Sequence, residues 1–277
     1  MIMIKLHPFL VVVVLLIALL PVSSLFAQDE QTFEHNNLKL AFEFSSNLAG
    51  CKLAEHERIR KDDQRYNALL FSRRYALSTT YFGIKPEYFL LNNRLGIASG
   101  LRFTTAKSEL IAGTQKFLWK VEEDGLHTSY VKIDELRQKS YLLSVPVEIR
   151  YFLSNKEKPF QTYLKIGASL DYRLNSDNQA TLLNETMQKY EDLVQHQMSD
   201  NDNVFSSFAF AAIGFKIGKF REERRVPWVN FEFTLPYILL TDKSFAFVKG
   251  GIRRFPGFGL QLSLQFPIGH NVPIGSN

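Results

Sequence analysis

The chain has 277 residues, 45% of them hydrophobic and 22% charged, which is too apolar for a disordered chain and enough to bury a core or to face lipid. Its formal net charge of +5 is scattered along the sequence instead of gathered in a basic stripe, so nucleic acid is not an expected partner. A single cysteine, Cys51, excludes an intrachain disulfide and any metal site built from cysteines.

The chain begins MIMIKLHPFLVVVVLLIALLPVSSLFAQDE, with Lys5 and His7 ahead of an apolar run from Phe9 to Leu20, then Pro21, Ser23, Ser24 and Ala27. That order predicts an export signal over residues 1–27, cleaved near Ala27–Gln28, and one mature domain over residues 28–277. The alternative is a retained anchor, because Pro8 to Ala27 carries no charge and approaches the roughly 20 residues of a spanning helix; Pro21 and the serines disfavour it. No later segment offers about 18 consecutive apolar residues, so a membrane-embedded chain would cross as strands.

Beyond Gln28 the sequence alternates in eight segments. The first, about Leu38 to Ser46, sets Leu38, Leu40, Phe42 and Phe44 against Lys39, Ala41, Glu43 and Ser45. The second, about Tyr75 to Leu91, contains Pro86, which cannot donate to a ladder and predicts a bulge or strand end. Asn92-Asn93 suits a tight hairpin into the third, about Arg94 to Thr105. The fourth, about Tyr141 to Leu153, opposes Tyr141, Leu143, Val145, Val147, Ile149 and Tyr151 to Ser144, Pro146, Glu148 and Arg150. The fifth, about Thr162 to Leu174, opposes Leu164, Ile166, Ala168, Leu170 and Tyr172 to Lys165, Gly167, Ser169, Asp171 and Arg173. The sixth, about Phe205 to Gly218, is apolar on both faces and leaves its phase open. The seventh, about Trp228 to Leu239, and the eighth, about Gly257 to Phe266, alternate cleanly, the latter with Gly259, Gln261, Ser263 and Gln265 on its polar face.

Connections alternate in length. Asn92-Asn93, Ser154 to Phe160 and Lys219 to Val226 are short, whereas Asn47 to Arg74, Ala106 to Ser140, Asn175 to Val204 and Leu240 to Pro256 are long. Short turns on one rim and long loops on the other are the plan of an outer-membrane barrel. Glycines and serines on the polar faces suit the narrow interior of eight strands. The expected fold is therefore an eight-stranded antiparallel up-and-down transmembrane β-barrel, with apolar faces toward lipid. A soluble lipocalin-like barrel, holding an apolar ligand inside, is the competing arrangement.

The run SYLLSVPVEIRYFL from Ser140, PFQTYLKIGASLDYRL from Pro159 and YFGIKPEYFLLNNRLGIASGLRF from Tyr81 resembles the outer-membrane β-barrel family common in Bacteroidetes, over most of the mature strands. The resemblance implies a small porin-like barrel, and some members of that family work in protein secretion machines. The likeness stops at Phe266, which PIGHNVPIGSN follows where a terminal aromatic is the usual assembly signal.

The polar faces gather Glu43, Glu87, Glu148, Asp171 and Glu232 with Lys85, Arg94, Arg102, Arg150, Lys165 and Arg173. Such a set forms either a selectivity filter or an ion-pair network that plugs the lumen, and the narrowness of eight strands favours the plug. In the second long loop Phe117, Leu118 and Trp119, beside Val121, form a small hairpin or an exposed contact patch for an envelope partner. Leu183, Met187, Tyr190, Val194 and Met198 are spaced for an amphipathic helix on the rim. No histidine spacing, nucleophile elbow or phosphate loop marks an enzyme, and no cofactor is expected. The expected partners are membrane lipid and an envelope protein met through the long loops. A non-enzymatic barrel with a structural, adhesive or envelope-complex role is the expected function, and a narrow diffusion channel is its main rival.

Overall fold

The computed structural model describes residues 38–53, 59–61, 75–91, 94–111, 117–123, 127–153, 159–183, 185–199, 203–218, 227–252 and 255–267. The export signal, the Asn92-Asn93 and Lys219 to Val226 turns, most of the Ser154 to Phe160 turn and the segment after Pro267 lie outside these residues. In chain order the strands are β1 (Leu38–Ala49), β2 (Lys52–Leu53), β3 (Ile59–Lys61), β4 (Tyr75–Leu90), β5 (Leu95–Ser99), β6 (Leu101–Ile111), β7 (Phe117–Glu123), β8 (His127–Phe152) and β9 (Phe160–Leu182). A 3-10 turn (Glu185–Tyr190) and a helix α1 (Glu191–Ser199) follow, then β10 (Phe205–Ile217), β11 (Trp228–Leu239), β12 (Val248–Lys249) and β13 (Gly257–Pro267).

Sequential antiparallel pairing runs β1–β4–β5/β6–β8–β9–β10–β11–β13, and β13 pairs back onto β1, so the sheet closes on itself. β5 and β6 form one wall, because their register against β4 and against β8 is the same on both sides of Gly100. The barrel thus has eight walls and leaves no sheet edge in its ring. Pro86 neither bulges nor ends β4, which runs unshifted through it. The interruption falls across the ladder instead, at Gly100.

The polarity is inverted relative to a soluble barrel. Phe82 is 62% exposed, Ile166 60% and Leu260 65%, while Lys85, Glu87 and Glu148 on the opposite face are 0% exposed. Along β8 the outward residues Val147, Ile149 and Tyr151 are exposed apolar groups and the inward ones are Ser144, Glu148 and Arg150. A continuous apolar exterior of this extent is unstable in water and is what hydrocarbon requires. The lipocalin-like alternative needs the reverse arrangement.

The pattern changes part-way along the walls. Above Tyr141 the outward residues of β8 become Lys139, Arg137 and Glu135, while Leu136, Ile133 and Val131 turn inward and are buried. β9 switches in step, from outward Leu170 and Tyr172 to exposed Asn175, Asp177 and Gln179. Aromatic rings mark the boundary: Phe82 lies 5.6 Å from Phe103, and Phe103 stacks on Tyr141 at 6.2 Å. From Tyr141 to Tyr151 is about 25 Å along the barrel axis for tilted strands, the height of an apolar band between two girdles.

Of the long loops expected on that rim, Ala106 to Ser140 is largely strand and Asn175 to Val204 begins as strand, whereas most of Asn47 to Arg74 lies outside the described residues. β8 has 26 residues, a contour of roughly 85 Å at about 3.3 Å per residue, so most of it projects beyond the band. Residues 127–140 and 175–182, expected as loop, continue β8 and β9 and pair with each other and with β6 or β7. The helix expected between Leu183 and Met198 is present as the 3-10 turn and α1. Val194 and Met198 are buried against the barrel end, and Leu183 is left outside it and exposed.

Candidate functional site

The phase of the sixth segment, β10, is settled by packing. Ser206, Phe208, Phe210, Ala212, Gly214 and Lys216 face inward and Ile213, Phe215 and Ile217 outward. Two inward phenylalanines from β10 thus enter an otherwise polar middle. Two glycines make room for large neighbours: any side chain at Gly214 would collide with the Tyr163 ring, and a Cβ at Gly96 would stand 2.5 Å from the Glu87 carboxylate.

At mid-barrel eight of the eleven charged residues singled out by sequence converge in one layer. Glu43 on β1 accepts from Lys85 Nζ at 2.8 Å, from Gln261 Nε2 at 2.8 Å and from Arg102 Nε. Glu148 on β8 accepts from the same lysine at 2.5 Å and from Arg102 Nη2. Arg150 bridges the rest, donating from Nη1 to Glu87 at 3.1 Å and from Nη2 to Glu232 at 2.7 Å. Lys165 pairs with Glu232 and stands 3.6 Å from Glu148. The four carboxylates Glu43, Glu87, Glu148 and Glu232 balance Lys85, Arg102, Arg150 and Lys165, so the layer is neutral as a set. In a low-dielectric centre that balance is what makes burial tolerable, since each unpaired ion would carry several kcal/mol of desolvation cost.

Neutral residues complete the network. Tyr163 donates from its hydroxyl to Glu232 at 2.7 Å, Tyr81 and Lys165 both donate to Gln261 Oε1 at 2.9 Å, and Gln265 donates to Glu87 at 2.5 Å. The Arg102 guanidinium also lies 4.3 Å from the Tyr81 ring centroid, a cation–π contact in a dry setting. Gln261 and Gln265 could have been included from their place on the polar face of the eighth segment. Tyr81 and Tyr163 carried no such signal, because a tyrosine suits either face of a barrel.

Three expected members lie elsewhere. Asp171 is buried, but its carboxylate accepts from Ser169 Oγ at 3.3 Å and forms no ion pair among the described residues. Arg94 is exposed beside the β4–β5 turn, because the hairpin ends before the interior begins. Arg173 sits half-buried nearer the mouth, where its guanidinium donates to the carbonyls of Ser244 and Asn203 at 3.2 and 3.1 Å.

Above the charge layer the barrel end is roofed by an apolar core. Phe117 and Trp119, two of the three expected as an exposed patch, are each 1% exposed and Leu118 is half-buried. The reason is the hairpin itself: β7 pairs with β8, and its inward residues Phe117, Trp119 and Val121 share one core with Val131, Ile133, Val194 and Met198. Trp119 Nε1 donates to Gln197 Oε1 of α1 at 2.9 Å. The segment between β11 and β13 also enters the mouth. Phe245, Ala246, Phe247 and Val248 are buried, Ala246 N donates to Gln138 Oε1 at 2.9 Å, and Val248–Lys249 pairs with β2. The segment lies within the long connection from Leu240 to Pro256, and the alternating phenylalanines in SFAFV are its sequence signal for burial. At the opposite end Lys216 is buried among Phe89, Phe152 and Trp228, with its Nζ 4.5 to 5.4 Å from the three ring centroids. Among the described residues no group of histidines, cysteines and carboxylates is arranged to hold a metal ion.

No known protein family and no curated protein matches the sequence. Among solved structures, the outer-membrane protein OprG from Pseudomonas aeruginosa is similar at 12% identity and a TM-score of 0.45, over 87% of this chain and 100% of that one. The translocator domain of the autotransporter NalP from Neisseria meningitidis is similar at 8% identity and a TM-score of 0.23, over 90% and 93%. A bacterial polysaccharide outer-membrane secretin is similar at 8% identity and a TM-score of 0.22, over 86% and 100%. None of these three singles out the Bacteroidetes type. The outward apolar rows and the closed eight-walled ring carry the fold by themselves.

Proposed function

We propose that this chain is a non-enzymatic β-barrel of the bacterial outer membrane, small and porin-like in build but closed, with a structural or adhesive role or a place in an envelope complex. The observation that carries the closed reading is the 0–1% exposure of Lys85, Glu87, Glu148, Arg150 and Lys165 at the centre. Charges lining a water-filled channel remain accessible, whereas charges filling a narrow barrel are matched ion for ion. The roof of β7, α1 and the Phe245–Val248 segment supports the same reading from the mouth side. The apolar rows between the aromatic girdles are the surface that membrane lipid would cover. The walls that project beyond the girdle offer the surface for an envelope partner, a role for which the buried Phe117 and Trp119 are unsuited.

Planar-bilayer recording of the purified, refolded chain tests this. A closed barrel inserts, migrates as a heat-modifiable band and gives no discrete conductance steps. Reproducible steps would replace it with the narrow diffusion channel, and recovery of the chain as a soluble periplasmic monomer would remove both.

A further inference from the structure

The outer surface where β4, β6 and β8 run side by side carries an apolar recess with two lysines above it. Gly100 pairs with neither neighbouring strand, although the ladders resume unshifted on both sides of it. Pro86 on β4 and Pro146 on β8 flank the break, and neither can donate a main-chain hydrogen bond. Ser99 Oγ donates to the Pro146 carbonyl at 2.8 Å. Outside this interruption lies a recess of about 640 Å³, walled by Phe42, Phe82, Ile84, Leu101, Leu143 and Val145. That volume is in the range of small-ligand sites, about 300–1,000 Å³. Glu43 and Arg102 reach its floor, but they are committed to each other and to Lys85 and Glu148. The recess therefore recruits no charge of its own, and its walls are continuous with the apolar band.

Toward the mouth the register places Ser78, Lys107 and Lys139 in one outward row, two outward positions above Phe82, Phe103 and Leu143. Lys107 and Lys139 stand directly opposite each other on neighbouring strands, an arrangement that like charges disfavour. Lys139 Nζ lies 4.8 Å from the Tyr141 ring centroid, and neither lysine has an ion-pair partner among the described residues. Of the nearby acids, Glu135 and Glu109 lie 2.8 Å and 3.9 Å from Arg137, and Asp177, exposed and opposite Lys139 on β9, forms no ion pair with either lysine. From Phe103 to Lys107 is about 13 Å of extended strand, a span that links a headgroup at the girdle to a chain beneath it.

We propose that this face binds one anionic lipid, with an aliphatic chain in the recess and the phosphate against Lys107 and Lys139. The inference rests on the membrane-barrel reading. An anionic amphiphile fits both halves of the surface at once, whereas a zwitterionic lipid brings its own cation to the two facing lysines together with its phosphate and a soluble anion leaves the recess empty.

The full chain in non-ionic detergent, titrated with dioleoylphosphatidylglycerol or dioleoylphosphatidylcholine and followed by native mass spectrometry, tests it. A one-to-one phosphatidylglycerol adduct is expected in preference to phosphatidylcholine. The double variant Lys107→Gln, Lys139→Gln should weaken it about tenfold or more, the scale of two basic residues at an anionic surface. Val145→Trp, which fills the recess from outside, should remove the adduct while leaving the charged row intact. Equal retention of the two lipids by the native chain, or an adduct that survives Val145→Trp, overturns the proposal. The same samples are checked for a heat-modifiable band and insertion into liposomes. Loss of those in the native chain defeats the barrel reading itself, whereas their presence without lipid preference defeats this inference alone.

Discussion

Replacing Glu148 with glutamine removes one negative charge from the centre of the neutral layer and keeps the side chain's volume. Glu148 holds Lys85 at 2.5 Å and Arg102 by a direct hydrogen bond, with Lys165 at 3.6 Å and Arg150 at 3.7 Å. After the change four buried cations face the carboxylates of Glu43, Glu87 and Glu232 only, and the uncompensated charge has no route to water because these residues are 0–4% exposed. Breaking a buried pair by removing one partner typically costs about 3–5 kcal/mol. With a urea dependence of about 2 kcal/mol/M, the unfolding midpoint of the barrel in liposomes should fall by about 2 M, read from the heat-modifiable gel shift. Adding Lys85→Met restores neutrality and leaves Arg102 on Glu43, so the double variant should recover part of that loss. A single variant that costs under about 1 kcal/mol, well below the buried-pair range, or a double variant no more stable than the single, would refute the view that charge balance holds this layer together.

Phe231→Arg on the outward face of β11 should cost about 2–4 kcal/mol in liposome-refolded protein, whereas an exposed position in water would tolerate it within about 0.5 kcal/mol; a neutral result in liposome unfolding argues against a lipid-facing row. Gly214→Leu should lower stability by about 1–3 kcal/mol through overpacking against the Tyr163 ring. Tyr163→Leu in the same chain should relieve part of it, as a double-mutant cycle would reveal. Trp119→Ala takes a buried indole from the roof together with its bond to Gln197, and should cost about 3–5 kcal/mol and open β7 to added protease while the membrane band stays protected. Phe245→Ala combined with Phe247→Ala should loosen the mouth without disturbing the charge layer, so bilayer recordings should stay silent; conductance in this variant would show that the roof, and not the charges, closes the barrel.

The alternation in the first, fourth, fifth, seventh and eighth segments was legible because a strand in a barrel wall repeats every two residues, and lipid on one side with a packed polar centre on the other imposes opposite chemistry on the two faces. Lys85, Glu148 and Lys165 announced themselves by occupying the polar phase of such strands. Phe208 and Phe210 did not, since β10 is apolar on both faces and only its register against β9 and β11 fixed which face is inside. Phe117 and Trp119 read as surface because a loop between two spanning strands is expected in water. They are buried because β6, β8 and β9 continue past the girdle and reverse their polarity there, so the apolar face that points outward below Tyr141 gives way to one that points inward above it.

By itself the sequence determined the strand number, the antiparallel order and the outward direction of the apolar rows, all of which follow from local periodicity and connection length. Only the tertiary structure decided which carboxylate meets which cation, that Asp171, Arg94 and Arg173 stay apart from the layer, and that Phe245 and Phe247 turn into the mouth. Those outcomes depend on which side chains from distant strands reach the same height inside a closed ring, and that height is set by stagger between strands, a quantity no single segment encodes.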